Sequence, residues 1–281
     1  MGCSLRLRGS IIRLTAVVYP KTNIMDTKDP KRLLQELRAE STRVSDTLAD
    51  AAASGQSPSA VTDADFLTLL SQHTEQLVKA RSDLERSYDI TLEALGDVLD
   101  LWDADTGHHA KRVTAFTIAL TRAMGLPADE IRVIARGAFL HDIGKTGISR
   151  SILRKAGELT LEEIEVMRQH CYCGYKLLRK IPFLAEAAEI VYAHHEHWDG
   201  TGYPRHLKGS EIPPGGRIVA VANTLDAITS NQPYRPAQSL IAAREEIARL
   251  AGRQFDPEVV KAFLSIPESM WHNLRTEISN Q

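Results

Sequence analysis

Apolar residues recur three and four positions apart along most of this chain, and no stretch alternates long enough to suggest a ladder of strands. Asp29 and Pro30 read as a helix start, and Leu33, Leu34, Leu37, Val44 and Leu48 carry the pattern to about Asp50. Ala53-Ser-Gly-Gln-Ser-Pro-Ser59 is a linker by composition. Thr62 or Asp63 caps a longer helix bearing Phe66, Leu70, Leu77, Leu84, Leu92, Leu95 and Val98. Beyond it the pattern predicts helices over His108–Met124, Ala128–His141, Leu161–Arg168, His170–Lys180, Leu184–His197, Gly216–Thr229, Ala237–Leu250 and Pro257–Leu264. Gly125-Leu-Pro127, Pro182, the Gly200–Pro214 loop and Gly252 separate them. The expected fold is all-α, without an internal repeat.

Three segments follow from this pattern: an irregular 1–28, a helical extension over 29–87, and a large helical domain over 88–281. Leu70, Leu77 and Leu84 are seven apart, which permits a coiled-coil homodimer through residues 63–100, or a helix packed on its own domain. A signalling protein that docks on this arm is the other partner the arrangement allows. Met25 opens a cleaner soluble sequence and is a candidate translation start. Arg13 interrupts the apolar run Ile11–Val18 and no small-residue cleavage site follows, so export is rejected.

Composition changes this picture little. The chain of 281 residues is 43% hydrophobic and 25% charged, enough to bury a sizeable core. A net charge of -2 gives no electrostatic footprint for nucleic acid or a membrane surface, and no run of eighteen apolar residues marks a spanning helix. Cys171 and Cys173 are too few and too close to frame a secreted fold, so a cytoplasmic location is expected. They read first as small packing residues, with metal or redox involvement as the alternative.

The ten histidines are the unusual feature, most of them between residues 108 and 206. His109 heads a stripe with Val113, Phe116 and Leu120, and His170 one with Gly174, Leu177 and Ile181. Ala187 and Ile190 lead to His194, while Ala188 and Val191 lead to His195. Ile131, Ile134, Ala135 and Ala138 lead to His141 and Asp142 at the expected end of one helix, before Gly144 breaks it. One buried imidazole is ordinarily a satisfied core residue. Five on inward faces, beside a carboxylate, are what a cluster of transition-metal ions needs. A bridging carboxylate would let two ions act together on a phosphoryl group.

These residues also carry a specific resemblance. Asp103-x-x-Thr106-x-x-His109-x-x-Arg-Val113, His141-Asp-Ile-Gly-Lys145, His170, and His194-His-Glu-His-Trp-Asp-Gly-Thr-Gly-Tyr-Pro204 resemble the HD-GYP domain. Arg217-Ile-Val-Ala-Val, Asp226-Ala, Pro233-Tyr-Arg235 and Phe255-Asp-Pro257 continue the resemblance, which runs from about residue 88 to 265. It implies an HD-superfamily helical bundle with two or three divalent ions, iron or manganese. It also implies hydrolysis of cyclic di-GMP to pGpG or GMP by a metal-activated water. By the same resemblance His109, His141, Asp142, His170, His194, His195 and, weakened, Asn223 match metal ligands, with Asp142 bridging and catalytic. Asp105 is a candidate ligand for a third ion. Lys145 matches the catalytic lysine that meets the scissile phosphate, and Tyr203, Gln232 and Arg235 match substrate contacts. Glu196 and His197 are expected to support the ligands from behind or to lie at the surface, not to ligate.

Three positions depart from the family pattern. Asn223 stands where the last ligand is normally aspartate, Gln232 where an arginine is usual, and Cys171 where a proline usually follows the histidine. Asparagine keeps a carbonyl oxygen but brings no charge, and glutamine lacks the charged bidentate fork. Three readings therefore stand side by side: a cyclic di-GMP phosphodiesterase, a degenerate domain that binds a nucleotide or protein, and a hydrolase of another nucleotide phosphoester.

Overall fold

The computed structural model describes residues 63–103, 108–155, 157–231 and 236–279. The expected helix over 29–50, the linker at 53–59 and Met25 lie outside them, as do Asp105, Gln232 and Arg235. Among the described residues there is no strand, only one isolated bridge between Ala251 and Phe255.

The helices are α1 (Asp63–Asp103), α2 (His109–Ala123), α3 (Ala128–Phe139), α4 (Arg150–Leu153), α5 (Leu161–Arg168) and α6 (His170–Leu178). They continue as α7 (Ala185–Ala193), α8 (Pro214–Thr229), α9 (Leu240–Arg249), α10 (Pro257–Ser265) and α11 (Glu268–Ser279). Short 3-10 turns cover Ile143–Gly147, Pro182–Leu184 and Gly209–Glu211. Helix α11 was not anticipated, although Trp271, Leu274 and Ile278 recur at helical spacing.

The chain divides into two compact units with the boundary between Thr91 and Leu92. In the first, residues 63–91 are the N-terminal part of α1. Its Leu77 and Val78 are 58% and 64% exposed, and Leu84 is exposed as well.

In the second unit α8 is the central helix. Ile218, Val219, Ala220, Val221 and Ala222 are all buried in succession, the mark of a helix that is apolar nearly all round. It packs on α2, α7, α9, α10 and α3. The main core joins Val113, Phe116 and Leu120 of α2 to Ile218 and Leu225 of α8, to Phe263 of α10 and to Trp271 of α11. A second cluster, with Leu92, Phe139, Leu140, Ile143, Leu178, Leu184 and Val191, lies under the turn that carries Asp142. Gly144 lets that turn approach α6, since a Cβ there would run into the carbonyl oxygen of His170. No described helix is long and apolar enough to cross a membrane.

Candidate metal centre

Every histidine donor stands at a helix end. His109 is the first residue of α2 and His170 the first of α6, while His194 and His195 follow directly on α7. The sequence placed His141 inside its helix and extended α7's helix to His197. Instead α3 ends at Phe139 and α7 at Ala193. At Leu140 the backbone leaves helical geometry (φ -103°, ψ 9°), and the next turn tightens so that Ile143 N–H donates to the Leu140 carbonyl at 3.0 Å. Such tightening is common where the last carbonyls of a helix lack partners.

Those leftover carbonyls fix the imidazoles. His141 Nδ1 donates to the Ala138 oxygen at 2.8 Å, His170 Nδ1 to Met167 at 2.7 Å and His194 Nδ1 to Val191 at 2.8 Å. A carbonyl can only accept, so each Nδ1 carries the proton and each Nε2 presents a lone pair. His109 differs, because its Nδ1 lies 2.7 Å from Oδ2 of Asp226. The Nε2 atoms then meet in pairs, His109 with His141 at 3.3 Å and His170 with His194 at 3.4 Å. Two ring nitrogens that both hold lone pairs repel each other unless a cation or proton lies between them. This donor set therefore fits a metal.

The donors form two groups, His109, His141 and Asp142, and His170, Cys171, His194 and His195, each with its ligand atoms within 4.8 Å of one another. Asp142 faces both. Its Oδ2 lies 3.9 Å from His109 Nε2 and 3.3 Å from His141 Nε2, and its Oδ1 lies 3.5 Å from His170 Nε2. Lys145 Nζ closes on the same Oδ2 at 2.8 Å.

Burial opposes the charge on Asp142, yet His141, Lys145 and His170 hold its carboxyl well below the ordinary value. Burial drives His194 well down, assisted by the neighbouring His195 and His141. Burial, then His170, brings His195 to about 3. Burial also lowers His170. These three imidazoles stay neutral at ordinary pH, the form a metal takes. On the other side burial works against protonation of His109, but the hydrogen bond and charge of Asp226 raise it.

The sequence reading gave Asp226 and Arg112 no role. Asp226 is 1% exposed and accepts from Arg112 Nε at 2.6 Å, Arg112 Nη2 at 3.0 Å and Arg275 Nη1 at 3.3 Å besides His109. Burial opposes its charge, but the hydrogen bonds of His109 and Arg112 bring it to about 2. A buried carboxylate behind a ligating imidazole fixes its tautomer and basicity. Both residues lie within the quoted motifs, and an aspartate on the largely apolar α8 was the one signal available for Asp226. Asn223 is half-buried on α8, one helical turn before Asp226 and so on the same side of that helix.

The loop after His195 is braced from within. Glu196 is 2% exposed, and its carboxylate accepts from the backbone N–H groups of Arg205 at 2.7 Å and Leu207 at 3.1 Å. His197 meets Thr201 instead. Tyr203 stacks on His195 with ring centroids 4.8 Å apart, and the guanidinium of Arg168 lies 5.1 Å above the Tyr203 ring. Burial pushes the Tyr203 phenol up, so it remains a donor. Gly202 leaves no room for a side chain against the backbone of Glu196 and His197.

The sequence profile of the HD domain matches residues 93–259, more than half of the chain. The chain belongs to the HD domain family. It is 43% identical over 188 residues to a cyclic di-GMP phosphodiesterase of Thermotoga maritima, covering 66% of this chain and 51% of that protein. It is 36% identical over 172 residues to a 3'3'-cGAMP-specific phosphodiesterase of Vibrio cholerae serotype O1, covering 60% of this chain and 33% of that protein. The chain thus spans about half the length, or less, of these curated relatives. A solved HDG"Y"P protein from Bdellovibrio bacteriovorus matches with a TM-score of 0.50 at 17% identity, over 68% of this chain and 64% of that one. At that identity the likeness bears on the fold, which is the HD helical bundle. The HD-GYP motifs of the sequence agree with this family placement.

Proposed function

We propose that this HD domain is a metal-dependent phosphodiesterase that hydrolyses cyclic di-GMP to pGpG or GMP. The observation that carries this reading is the pairing of Nε2 lone pairs on the two sides of Asp142. The names of its relatives supply the substrate class.

His109, His141 and Asp142 would hold one divalent ion with the carbonyl oxygen of Asn223, and His170, His194 and His195 the other, with Asp142 shared. Iron or manganese suits imidazole and carboxylate donors, and Asp105 remains the candidate for a third ion. When bound, the ions supply Lewis-acid activation of water and of the phosphoryl oxygens. The chain's own residues do the rest. Asp226 orients His109, and Arg112 and Arg275 keep Asp226 ionised. Lys145 turns from Asp142 toward a nonbridging oxygen of the scissile phosphate and offsets its charge. The Tyr203 phenol donates to the substrate at the mouth of the site, and the braced loop shields the reacting phosphate from bulk water. Gln232 and Arg235 are the further phosphate contacts.

The test is anaerobic incubation of reduced iron- or manganese-loaded protein with cyclic di-GMP, with products separated by chromatography. Turnover that is lost in His141→Ala supports the enzyme. Activity that appears only in Asn223→Asp would mean a site decayed at one ligand and a domain that binds without hydrolysis. Because one group of relatives carries the name of a 3'3'-cGAMP-specific enzyme, the mixed cyclic dinucleotide belongs in the same assay as the second reading. The exposed Leu77 and Leu84, seven residues apart, support α1 as a homodimerisation arm. A monomeric mass by light scattering at micromolar concentration would overturn that.

A further inference from the structure

The sequence reads Cys171 first as a packing residue and second as a metal or redox group, and its position bears on the second reading. It is fully buried, directly after His170, with Sγ 3.5 Å from His170 Nε2. Its sulfur and the ring nitrogens of His170, His194 and His195 all lie within 4.8 Å of one another. Donors on one tetrahedral ion with ordinary metal–nitrogen and metal–sulfur bonds stand about 3.4–3.7 Å apart. The Cys171–His170 separation of 3.5 Å and the His170–His194 separation of 3.4 Å match that edge. Cys173, two residues on, is half-buried and outside the group.

We propose that Cys171 is a ligand of the second ion, adding a thiolate to the donors already assigned there, His170, His194, His195 and the shared Asp142. The proposal rests on the metal-binding reading above. The thiol proton leaves to solvent as the ion binds, and no oxidant or reductant is involved. The thiolate also answers the charge lost at Asn223. With asparagine there, Asp142 is the one anionic donor of the assigned set, and Cys171 supplies the second. The two sides of the centre then differ in softness. The sulfur side favours zinc or iron, while the side with Asp142 and the Asn223 carbonyl still suits harder ions such as manganese.

The test is titration of the metal-free full chain with cobalt(II), followed by absorption spectroscopy, beside Cys171→Ser and Cys173→Ser. The native chain and Cys173→Ser should show ligand-field bands in the visible together with an intense thiolate-to-cobalt band in the near ultraviolet. Cys171→Ser should keep the visible bands, lose the ultraviolet band and bind zinc at least about tenfold more weakly, a loss that even an outer partner of a metal ligand can cause. X-ray absorption of the zinc-loaded native chain should show one sulfur near about 2.3 Å, which decides the matter even where the serine variant does not fold. Visible bands without the ultraviolet band in the native chain would overturn the sulfur ligand while leaving the histidine centre intact. An ultraviolet band that survives Cys171→Ser in the folded variant overturns it too. Absence of all bands would overturn the metal centre itself, and Cys171 with it.

Discussion

The two donor groups around Asp142 differ at His109, since His141 beside it is held to a helix-end carbonyl just as the histidines opposite are. His170 and His194 are fixed through carbonyl oxygens left over at the ends of short helices, and no carboxylate is bonded to their outer nitrogens. His109 is instead fixed through a buried network in which Asp226 is gripped by Arg112 and Arg275. Their electrostatics diverge accordingly. Burial depresses His170, His194 and His195, whereas Asp226 outweighs burial and raises His109. A neutral dipole positions an imidazole without changing its charge preference, and a carboxylate does both. One side therefore presents neutral imidazoles, while on the other the His109 imidazole is tuned by a charge that lies behind it.

The largest expected effect comes from removing what the sides share. Asp142→Ala should lower metal content at both groups, by elemental analysis. Hydrolysis should fall by more than the roughly 10²–10³-fold that one lost transition-state donor costs. If only one ion is lost, the carboxylate does not bridge. Asp226→Ala should break the symmetry instead. Removing the buried carboxylate that Arg112 and Arg275 share should destabilise the fold by about 3 kcal/mol in urea melts. Metal affinity at the His109 side should drop about 10–100-fold, with the other side retained. Gly144→Ala tests how the sides are registered. The added methyl meets the His170 carbonyl, so the Asp142 turn must shift away from α6, at about 1–3 kcal/mol in thermal unfolding.

The smallest effect is in pH. Histidines with folded pKa values below the unfolded 6.5 contribute stability that is complete above pH 6.5 and lost as pH falls toward about 3. His109, raised, has the opposite sign, since its contribution is present below 6.5 and fades as pH rises through its folded pKa. The buried side has more members, so the metal-free chain should lose stability between pH 7 and pH 5. The slope is at most about 1.4 kcal/mol per pH unit for each depressed histidine. Asp226, at about 2, stays charged through this window. His195→Asn should flatten the slope, and an unchanged slope would mean that His195 already titrates normally.

Much of this was legible because it depends on spacing. The inward faces of the helices pointed to His109, His141, His170, His194 and His195, and the structure brings the first three within 4.0 Å of Asp142 and groups the last two with His170. The helix ends were not legible. A stripe of Ile131, Ile134, Ala135 and Ala138 reads on smoothly to His141, whereas the chain turns at Leu140 because the terminal carbonyls find their partners in a tighter turn and in the histidine rings. Asp226 was hidden for another reason. Its partners Arg112 and Arg275 are 114 and 49 residues away, and no local pattern links them. Cys171 could be read either way, because a small apolar side chain and a sulfur donor look alike until the neighbouring nitrogens are located.

The placement of the donors at helix ends bears on how such a chain can change in length. One inserted or deleted residue rotates everything beyond it by about 100° around a helix axis. Within α2, α3, α6 or α7 that rotation would turn an imidazole away from Asp142, so those helices are locked in register. Length can vary only where no donor hangs on the phase, as in the stretch between α4 and α5 or the one that follows Leu207. Homologous HD centres should accordingly accumulate their gaps there, and single-codon deletions should be tolerated better in those windows than within α2, α3, α6 or α7.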